Sequence, residues 1–168
     1  MKRVKRLISL LLSVTMLLTI TAGIDLSAYA LESSGKCGEN VTYTFDELTG
    51  TLTISGTGKM YDFQFSSPFS KIENIKNVII ESGVTSIGNE MLQYCSNLKN
   101  VTIPDSVTSI GNSAFESCSS LTSVIIGNSV TSIGRGAFIM CSRITNITIP
   151  NSITFVGVNA FCDSWKLK

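Results

Sequence analysis

The stretch from 107 to 129 decides the fold of this chain, because it reads VTSIGNSAFESCSSLTSVIIGNS and its neighbours repeat it. VTSIGNEMLQYCSNLKNVTIPDS occupies 84–106, VTSIGRGAFIMCSRITNITIPNS occupies 130–152, and ITFVGVNAFCDSWKLK occupies 153–168. In repeat proteins one unit cannot bury its apolar side alone, and stacked neighbours bury it together. The 23-residue period therefore predicts a solenoid.

Each unit divides into short segments of different character. Around Val101 and Ile103 the apolar residues alternate with Thr102, as in a β-strand with one buried face. V-T-S-I-G is a second, shorter extended segment, and 112–119 reads as a helical turn with apolar residues three apart. We therefore predict a β-rich α/β repeat solenoid with coils of strand, turn, short strand and helical turn, stacked at about 4.8 Å.

Apolar residues recur in strict columns through these units. The bulky column on the helical turn is Leu92, Phe115, Phe138 and Phe161. A more degenerate copy comes first, so we expect coils near 66–83, 84–106, 107–129 and 130–152, with a partial coil at 153–168. A glycine closes the short extended segment at 88, 111, 134 and 157, and we expect it to permit an unusual backbone turn.

The first thirty residues carry a different pattern. A basic start, an uncharged apolar run over 7–24 and the small residues Ala28 and Ala30 predict a secretory signal peptide over 1–30. An uncleaved membrane anchor is the alternative, because an apolar run of about 18 residues is barely long enough to span a bilayer.

Residues 31–65 precede the repeats and read as an N-terminal β-hairpin cap. Val41, Tyr43 and Phe45 alternate with polar residues, a turn follows, and Leu52 and Ile54 alternate again. Terminal repeats expose an unpaired edge, so we expect this hairpin to cover the first coil of a solenoid over 66–168. A small carbohydrate-binding hairpin is the alternative for its aromatic residues.

The composition excludes several classes of function. No histidine occurs among the 168 residues, which removes Ser-His-Asp and Cys-His nucleophiles and every His-ligated metal site. A net charge of +1 gives no electrostatic basis for binding nucleic acid. We therefore predict a non-catalytic protein without a cofactor or metal. A carboxylate-dependent secreted hydrolase is an alternative, with Asp46 and Glu47 as its acids.

Three of the five cysteines, Cys95, Cys118 and Cys141, lie 23 residues apart and so one above another. A coil spacing of about 4.8 Å is wider than the roughly 3.8 Å between bridged Cβ atoms. We therefore expect a buried column of free thiols, with disulfide or thiol chemistry in an exported protein as the alternative.

The unit V-T-S-I-G-x-x-A-F-x-x-C-S-x-L-x-x-V-x-I-P resembles the BspA-type leucine-rich repeats of bacterial surface proteins, over about 66–168. Its core at Leu98, Val101 and Ile103 resembles the leucine-rich repeat in general. The resemblance implies a leucine-rich repeat fold and a secreted or surface interaction protein. Relatives are associated with adhesion to host proteins or other cells.

The outward positions of the longer strand are the candidate binding residues, because repeat proteins bind partners on extended concave faces. Exposed branched apolar residues often mark contact surfaces, whereas solubility alone also explains the polar ones. The candidates are Asn77, Asn100, Ser123 and Asn146 in one column, and Ile79, Thr102, Ile125 and Thr148 in the next.

These columns predict an exported interaction module, secreted or held at the cell surface. We expect it to bind host or bacterial surface proteins or glycans through its concave strand face. We expect no nucleic-acid partner and, after signal cleavage, no membrane span. A passive structural or display segment, or a fragment of a larger surface protein, is the alternative.

Overall fold

The computed structural model describes residues 34–65 and 67–164, all within the compact unit Glu32–Lys168, and the predicted signal peptide lies outside them. Twelve strands of this region form two sheets. The wide sheet contains β1 (Ser34–Lys36), β2 (Val41–Asp46), β3 (Thr51–Gly56), β5 (Asn77–Ile80), β7 (Asn100–Ile103), β9 (Ser123–Ile126) and β11 (Asn146–Thr148), in that order. The narrow sheet contains β4 (Gly58–Lys59), β6 (Val84–Ile87), β8 (Ser109–Ile110), β10 (Ser132–Ile133) and β12 (Phe155–Val156).

The register of the wide sheet follows the sequence period. Asn77 lies opposite Asn100, Asn100 opposite Ser123, and Ser123 opposite Asn146, all in parallel pairs. Each strand therefore pairs with its equivalent 23 residues later, and the predicted solenoid is confirmed. It makes about five turns.

The first turn begins earlier in the chain than the clear repeats do. β3 pairs antiparallel with β2 in a hairpin, but it also pairs in parallel with β5. Leu52 lies opposite Val78 and Ile54 opposite Ile80, a separation of 26 residues. The hairpin and the solenoid therefore share β3, which precedes the predicted boundary after residue 65.

The core lies between the two sheets and is built from the predicted apolar columns. Phe115 and Phe138 are fully buried, with ring centroids 5.0 Å apart and planes 2° apart. Phe161 continues the stack at 5.4 Å from Phe138. Because each ring contacts its equivalent in the next coil, the column holds successive coils in one register.

The expected helical turn does not form in these coils. Residues 89–94, 112–117, 135–140 and 158–163, here called the turn segments, are successions of turns. Ser113 and Ser117 have left-handed φ values of 50° and 59°, and the N–H of Phe115 donates to the Ala137 carbonyl of the following coil at 2.8 Å. Both features are incompatible with an α-helix. In the described ranges, the one 3-10 helix is Pro68–Lys71, and no helix is long and apolar enough to cross a membrane.

Hydrogen bonds outside the strands run in opposite directions on different sides of a coil. In the coil 107–129, three N–H groups donate to the following coil, those of Ser113, Phe115 and Ser117. Five others donate to the preceding coil, those of Thr108, Gly111 and Thr122 to backbone carbonyls and those of Asn112 and Asn128 to side-chain oxygens. The backbone of each coil is therefore bonded to both neighbours beyond the sheets themselves.

The glycine that recurs at 88, 111, 134 and 157 is required for a different physical reason from the one expected. The φ values of Gly88, Gly111, Gly134 and Gly157 lie outside the left-handed region. A Cβ at Gly111 would instead lie 2.6 Å from the backbone nitrogen of Asn89 in the preceding coil. Close approach of neighbouring backbones therefore requires glycine here.

A side-chain ladder runs beside these glycines. Asp62 Oδ1 accepts the N–H of Asn89 at 2.8 Å, Asn89 Oδ1 accepts that of Asn112 at 2.6 Å, and Asn112 Oδ1 accepts that of Arg135 at 2.8 Å. The ladder ends before Val158, because the guanidinium of Arg135 has no acceptor atom.

Candidate binding surface

All eight candidate binding residues lie on the outward face of the wide sheet. Ser123 is half-buried and the other seven are exposed. The strand register arranges them in two rows. The asparagine row is Asn77, Asn100, Ser123 and Asn146, and the isoleucine row is Ile79, Thr102, Ile125 and Thr148. Neighbours within a row lie on adjacent strands, about 4.8 Å apart.

The isoleucine row presents branched apolar side chains to solvent. Ile79 and Ile125 are each 51% exposed, whereas Val78 and Val124 beside them in the same strands are buried. Thr102 lies between the two isoleucines, and its hydroxyl has no hydrogen-bond partner among the described residues. The row therefore offers both methyl groups and a free hydroxyl to a ligand.

The asparagine row is partly oriented from its flank. The Thr122 hydroxyl lies 3.0 Å from the Lys99 carbonyl of the preceding coil and 3.2 Å from Asn100 Oδ1, and Asn146 Nδ2 donates to the Thr145 hydroxyl at 3.3 Å. Among the described residues the NH2 group of Asn100 has no hydrogen-bond partner, so it can donate to a ligand.

The same rows continue onto the hairpin, whose threonines are not among the binding residues predicted from the sequence. Thr53 lies opposite Ile79 and Thr44 opposite Thr53, so both extend the isoleucine row. Thr51 lies opposite Asn77 and extends the asparagine row. The alternation of these threonines with buried Leu52 could have identified them, but the 26-residue offset hid their equivalence to the repeats.

The threonines that immediately precede three strands of the narrow sheet are engaged differently. Thr108, Thr131 and Thr154 each donate their hydroxyl to the carbonyl of the equivalent threonine one coil earlier, at 3.1 Å in every case. These three threonines therefore link coils and have no free hydroxyl donor for a ligand.

The cysteine column is buried and its thiols are free. The Cys118 thiol donates to the Leu92 carbonyl at 3.3 Å, and the Cys141 thiol to the Phe115 carbonyl at 3.1 Å. Ser164 takes the equivalent position in the last coil and donates to the Phe138 carbonyl at 3.3 Å. Burial raises the pKa of Cys95 to about 12, which opposes thiolate chemistry.

The Asp46 carboxylate of the hairpin turn is hydrogen-bonded within that turn. The Thr49 hydroxyl donates to Asp46 Oδ2 at 2.9 Å and the Leu48 N–H to Oδ1 at 2.8 Å, and these bonds lower the pKa of Asp46. A general acid at neutral pH needs a raised pKa instead. Within 34–65 and 67–164, no three His, Cys, Asp or Glu side chains are placed to hold a metal ion.

Two open depressions lie on the turn-segment side of the molecule. The smaller, of about 210 Å³, is lined partly by Tyr94, and the larger, of about 390 Å³, by Glu116 and Arg135. Glu116 accepts a hydrogen bond from Gln93 Nε2 at 2.9 Å. Neither depression includes a residue of the two rows, so the candidate surface is an open face and not a pocket.

Comparison with known proteins supports the repeat assignment. Residues 65–168 match the family described as BspA type leucine rich repeat region, in six copies. No curated protein matches the chain.

Solved structures of bacterial leucine-rich repeat proteins are similar to the chain. The protein from Eubacterium ventriosum is 26% identical, with a TM-score of 0.62 over 80% of this chain and 42% of its own length. A Bacteroides capillosus protein is 29% identical, with a TM-score of 0.50 over 82% of this chain and 96% of its own. The Treponema (T. pallidum) leucine-rich repeat protein, 22% identical, shares the fold with a TM-score of 0.60, over 74% of this chain and 65% of its own. The chain thus spans less than half of the Eubacterium protein.

Proposed function

Because this chain belongs to the BspA-type leucine-rich repeat family, whose members are generally non-catalytic, we propose that it is an exported interaction module of the cell surface or its surroundings. It binds a macromolecule of host or bacterial surfaces through the outward face of the wide sheet. The observation that carries this proposal is the pair of exposed rows on that face, with Ile79 and Ile125 each 51% exposed.

The contrast with the narrow sheet supports the choice of face. Hydroxyls of the threonines beside the narrow sheet bond to the backbone of the neighbouring coil, so these side chains already have a structural role. The side chains of Ile79, Thr102 and Ile125 have no such bond among the described residues. A contiguous surface that contributes little to the fold is available for a partner.

Export rests on the N-terminal pattern of the sequence. The basic start, apolar run and A-Y-A end are typical of a cleaved signal peptide. Expression in a bacterium should therefore yield extracytoplasmic protein whose first residue is Leu31, as determined by N-terminal sequencing. Cytoplasmic protein that begins at Met1 would contradict export and leave the binding proposal to its own test.

The binding proposal is tested with the protein as its expressing cell exports it. Its binding to extracellular-matrix proteins, mucins and bacterial surface glycans is compared with that of the double variant Thr102→Lys, Ile125→Lys. We expect saturable binding to at least one class and a loss of at least tenfold in the variant, because two long cationic side chains would obstruct the rows.

The matched control is Ser96→Lys with Ser119→Lys, which adds the same two charges at exposed positions outside both sheets. It should bind like the natural protein. Equal loss in both double variants, or binding that survives the wide-sheet changes, would overturn the assignment of this face. A folded protein that binds no member of the panel would favour a passive display segment.

A further inference from the structure

The footprint of the candidate surface indicates the shape of its ligand, and this inference rests on the proposed function. Seven strands about 4.8 Å apart give the wide sheet a length of about 29 Å, and strands of four residues give a width of about 13 Å. The resulting area is roughly 380 Å², less than half of the ~800 Å² per partner in a stable protein complex. A long, narrow strip suits a linear polymer better than a globular protein.

The two rows present uncharged hydrogen-bonding groups at nearly every strand. From the hairpin to β11, the isoleucine row runs Thr44, Thr53, Ile79, Thr102, Ile125 and Thr148, and the asparagine row runs Asp46, Thr51, Asn77, Asn100, Ser123 and Asn146. Asp46, at the hairpin end, is the one charged member, and it is bonded within its own turn. Hydroxyl and amide groups both donate and accept, which matches a ligand that carries hydroxyl groups along its whole length.

An extended peptide fits these rows poorly. Its side chains on one face recur every ~6.7 Å, so they would fall out of step with rows spaced at about 4.8 Å. A peptide laid parallel to the strands would keep its side chains in step with those of one strand, but it would contact only about four residues of that strand. The rows therefore favour a polymer with a polar group on every unit and no side chains to place.

We propose that the ligand of the wide sheet is a linear, uncharged glycan that lies across the strands from β2 to β11. The rows hydrogen-bond to its hydroxyl groups, and the methyl groups of Ile79 and Ile125 pack against the apolar C–H faces of its rings. The hairpin is then part of the binding surface, with Thr53 and Thr44 contacting the ligand at its end. Lys76 and Lys99 flank the asparagine row and contribute donors at its border.

The test uses the exported protein and named probes. Affinity is measured for gluco-, xylo-, manno- and N-acetylglucosamine oligosaccharides of increasing length, beside hyaluronan, heparin and a panel of matrix proteins. We expect affinity for at least one neutral series to rise with chain length until the ligand spans the strands from β2 to β11, about 24 Å. Ile125→Lys and Thr53→Lys should each weaken binding of the longest oligomer at least tenfold.

Ser119→Lys is the matched control, since it adds one charge outside both sheets and should leave affinity unchanged. Thr44→Lys, at a more exposed hairpin position, repeats the hairpin test if Thr53→Lys lowers the melting temperature.

The remaining outcomes distinguish a failure of the glycan proposal from a failure of the proposed binding face. Binding restricted to proteins or acidic glycans, and lost in Ile125→Lys, would overturn the neutral glycan but support the binding face. Neutral oligomers bound equally by Thr53→Lys, Thr44→Lys and the natural protein would overturn the contribution of the hairpin. Binding that survives Ile125→Lys would overturn the face itself.

Discussion

The two sheets of this solenoid share one core, but the threonine column beside the narrow sheet and the isoleucine row of the wide sheet use their hydroxyls in opposite ways. Immediately before β10 of the narrow sheet, Thr131 donates its hydroxyl to the Thr108 carbonyl at 3.1 Å. On the wide sheet, Thr102 stands between Ile79 and Ile125 with its hydroxyl free of partners among the described residues. A repeated polar column can therefore be a structural link or an available surface. The hydrogen bonds of the column, and not its residue type, distinguish the two.

The largest effect is expected from a change that breaks both sheets at once. Phe138 is fully buried between the Phe115 and Phe161 rings, so Phe138→Ala should lower the free energy of unfolding by about 3–5 kcal/mol. Urea unfolding followed by circular dichroism measures this. Met140→Ala, at a position 52% exposed, should change it by less than about 0.5 kcal/mol. Equal losses would show that the ring column is not the shared core.

A matched pair of threonine changes tests the comparison directly. Thr131→Val removes an inter-coil hydrogen bond and should cost about 0.5–1 kcal/mol of stability. Thr102→Val should cost nothing, because valine suits a strand at least as well as threonine and no bond is lost. Ligand binding should follow the reverse order. Equal stability losses in the two variants would refute the division between sheets.

In the side-chain ladder beside the repeated glycines, one substitution is expected to raise the stability of the protein. Arg135→Asn would provide the acceptor that the ladder lacks for the Val158 N–H, and we expect a gain of about 0.5–1 kcal/mol in unfolding free energy. Arg135→Ala controls for removal of the arginine and should give no gain. A stability of Arg135→Asn at or below that of the alanine variant would count against the ladder as a link between coils.

The smallest effect is expected in chemical labelling of the thiols of the folded protein. Burial raises the pKa of Cys37 and Cys95 to about 12, and the neighbouring Cys141 thiol together with burial raises the pKa of Cys118. At about pH 8 these groups stay protonated and enclosed, so iodoacetamide should modify only exposed Cys162 in the folded protein and all five cysteines after denaturation. Mass spectrometry counts the adducts. Rapid labelling of Cys95, Cys118 or Cys141 in the native state would disprove the buried column.

The raised pKa values of the buried thiols make the stability of the protein depend on pH. The folded-state pKa values lie above the ordinary value near 8.5, so the unfolded chain loses its thiol protons first as the pH rises. The stability from the protonated thiols is complete below about pH 8.5 and is lost progressively toward pH 12. Thermal unfolding over this range should show it, and a flat profile would contradict the burial of these groups.

Sequence periodicity predicted the coils because each column needs the same residue type for the same physical reason. The rings of the bulky column that ends in Phe161 stack on one another, and the members of this column could be named from the sequence. The turn segments could not, because their N–H groups bond to the next coil, a long-range choice that a local helical pattern does not reveal. Thr53 and Thr44 were missed since the first coil is three residues longer than the others. Ser164 stands where the column would have its next cysteine, and its hydroxyl donates to a backbone carbonyl as the thiols do.

The opposite directions of the inter-coil bonds have an electrical consequence. In an α-helix the peptide dipoles align and sum to partial charges at the two ends. In the coil 107–129, three N–H groups of the turn segment point forward, whereas five others outside the strands point backward. The forward groups cancel most of this alignment, so a coil of 23 residues leaves about two aligned amides outside its strands, fewer than the ~3.6 of a single helical turn. Lengthening such a stack therefore builds up less charge at its ends than lengthening a helix by the same number of residues.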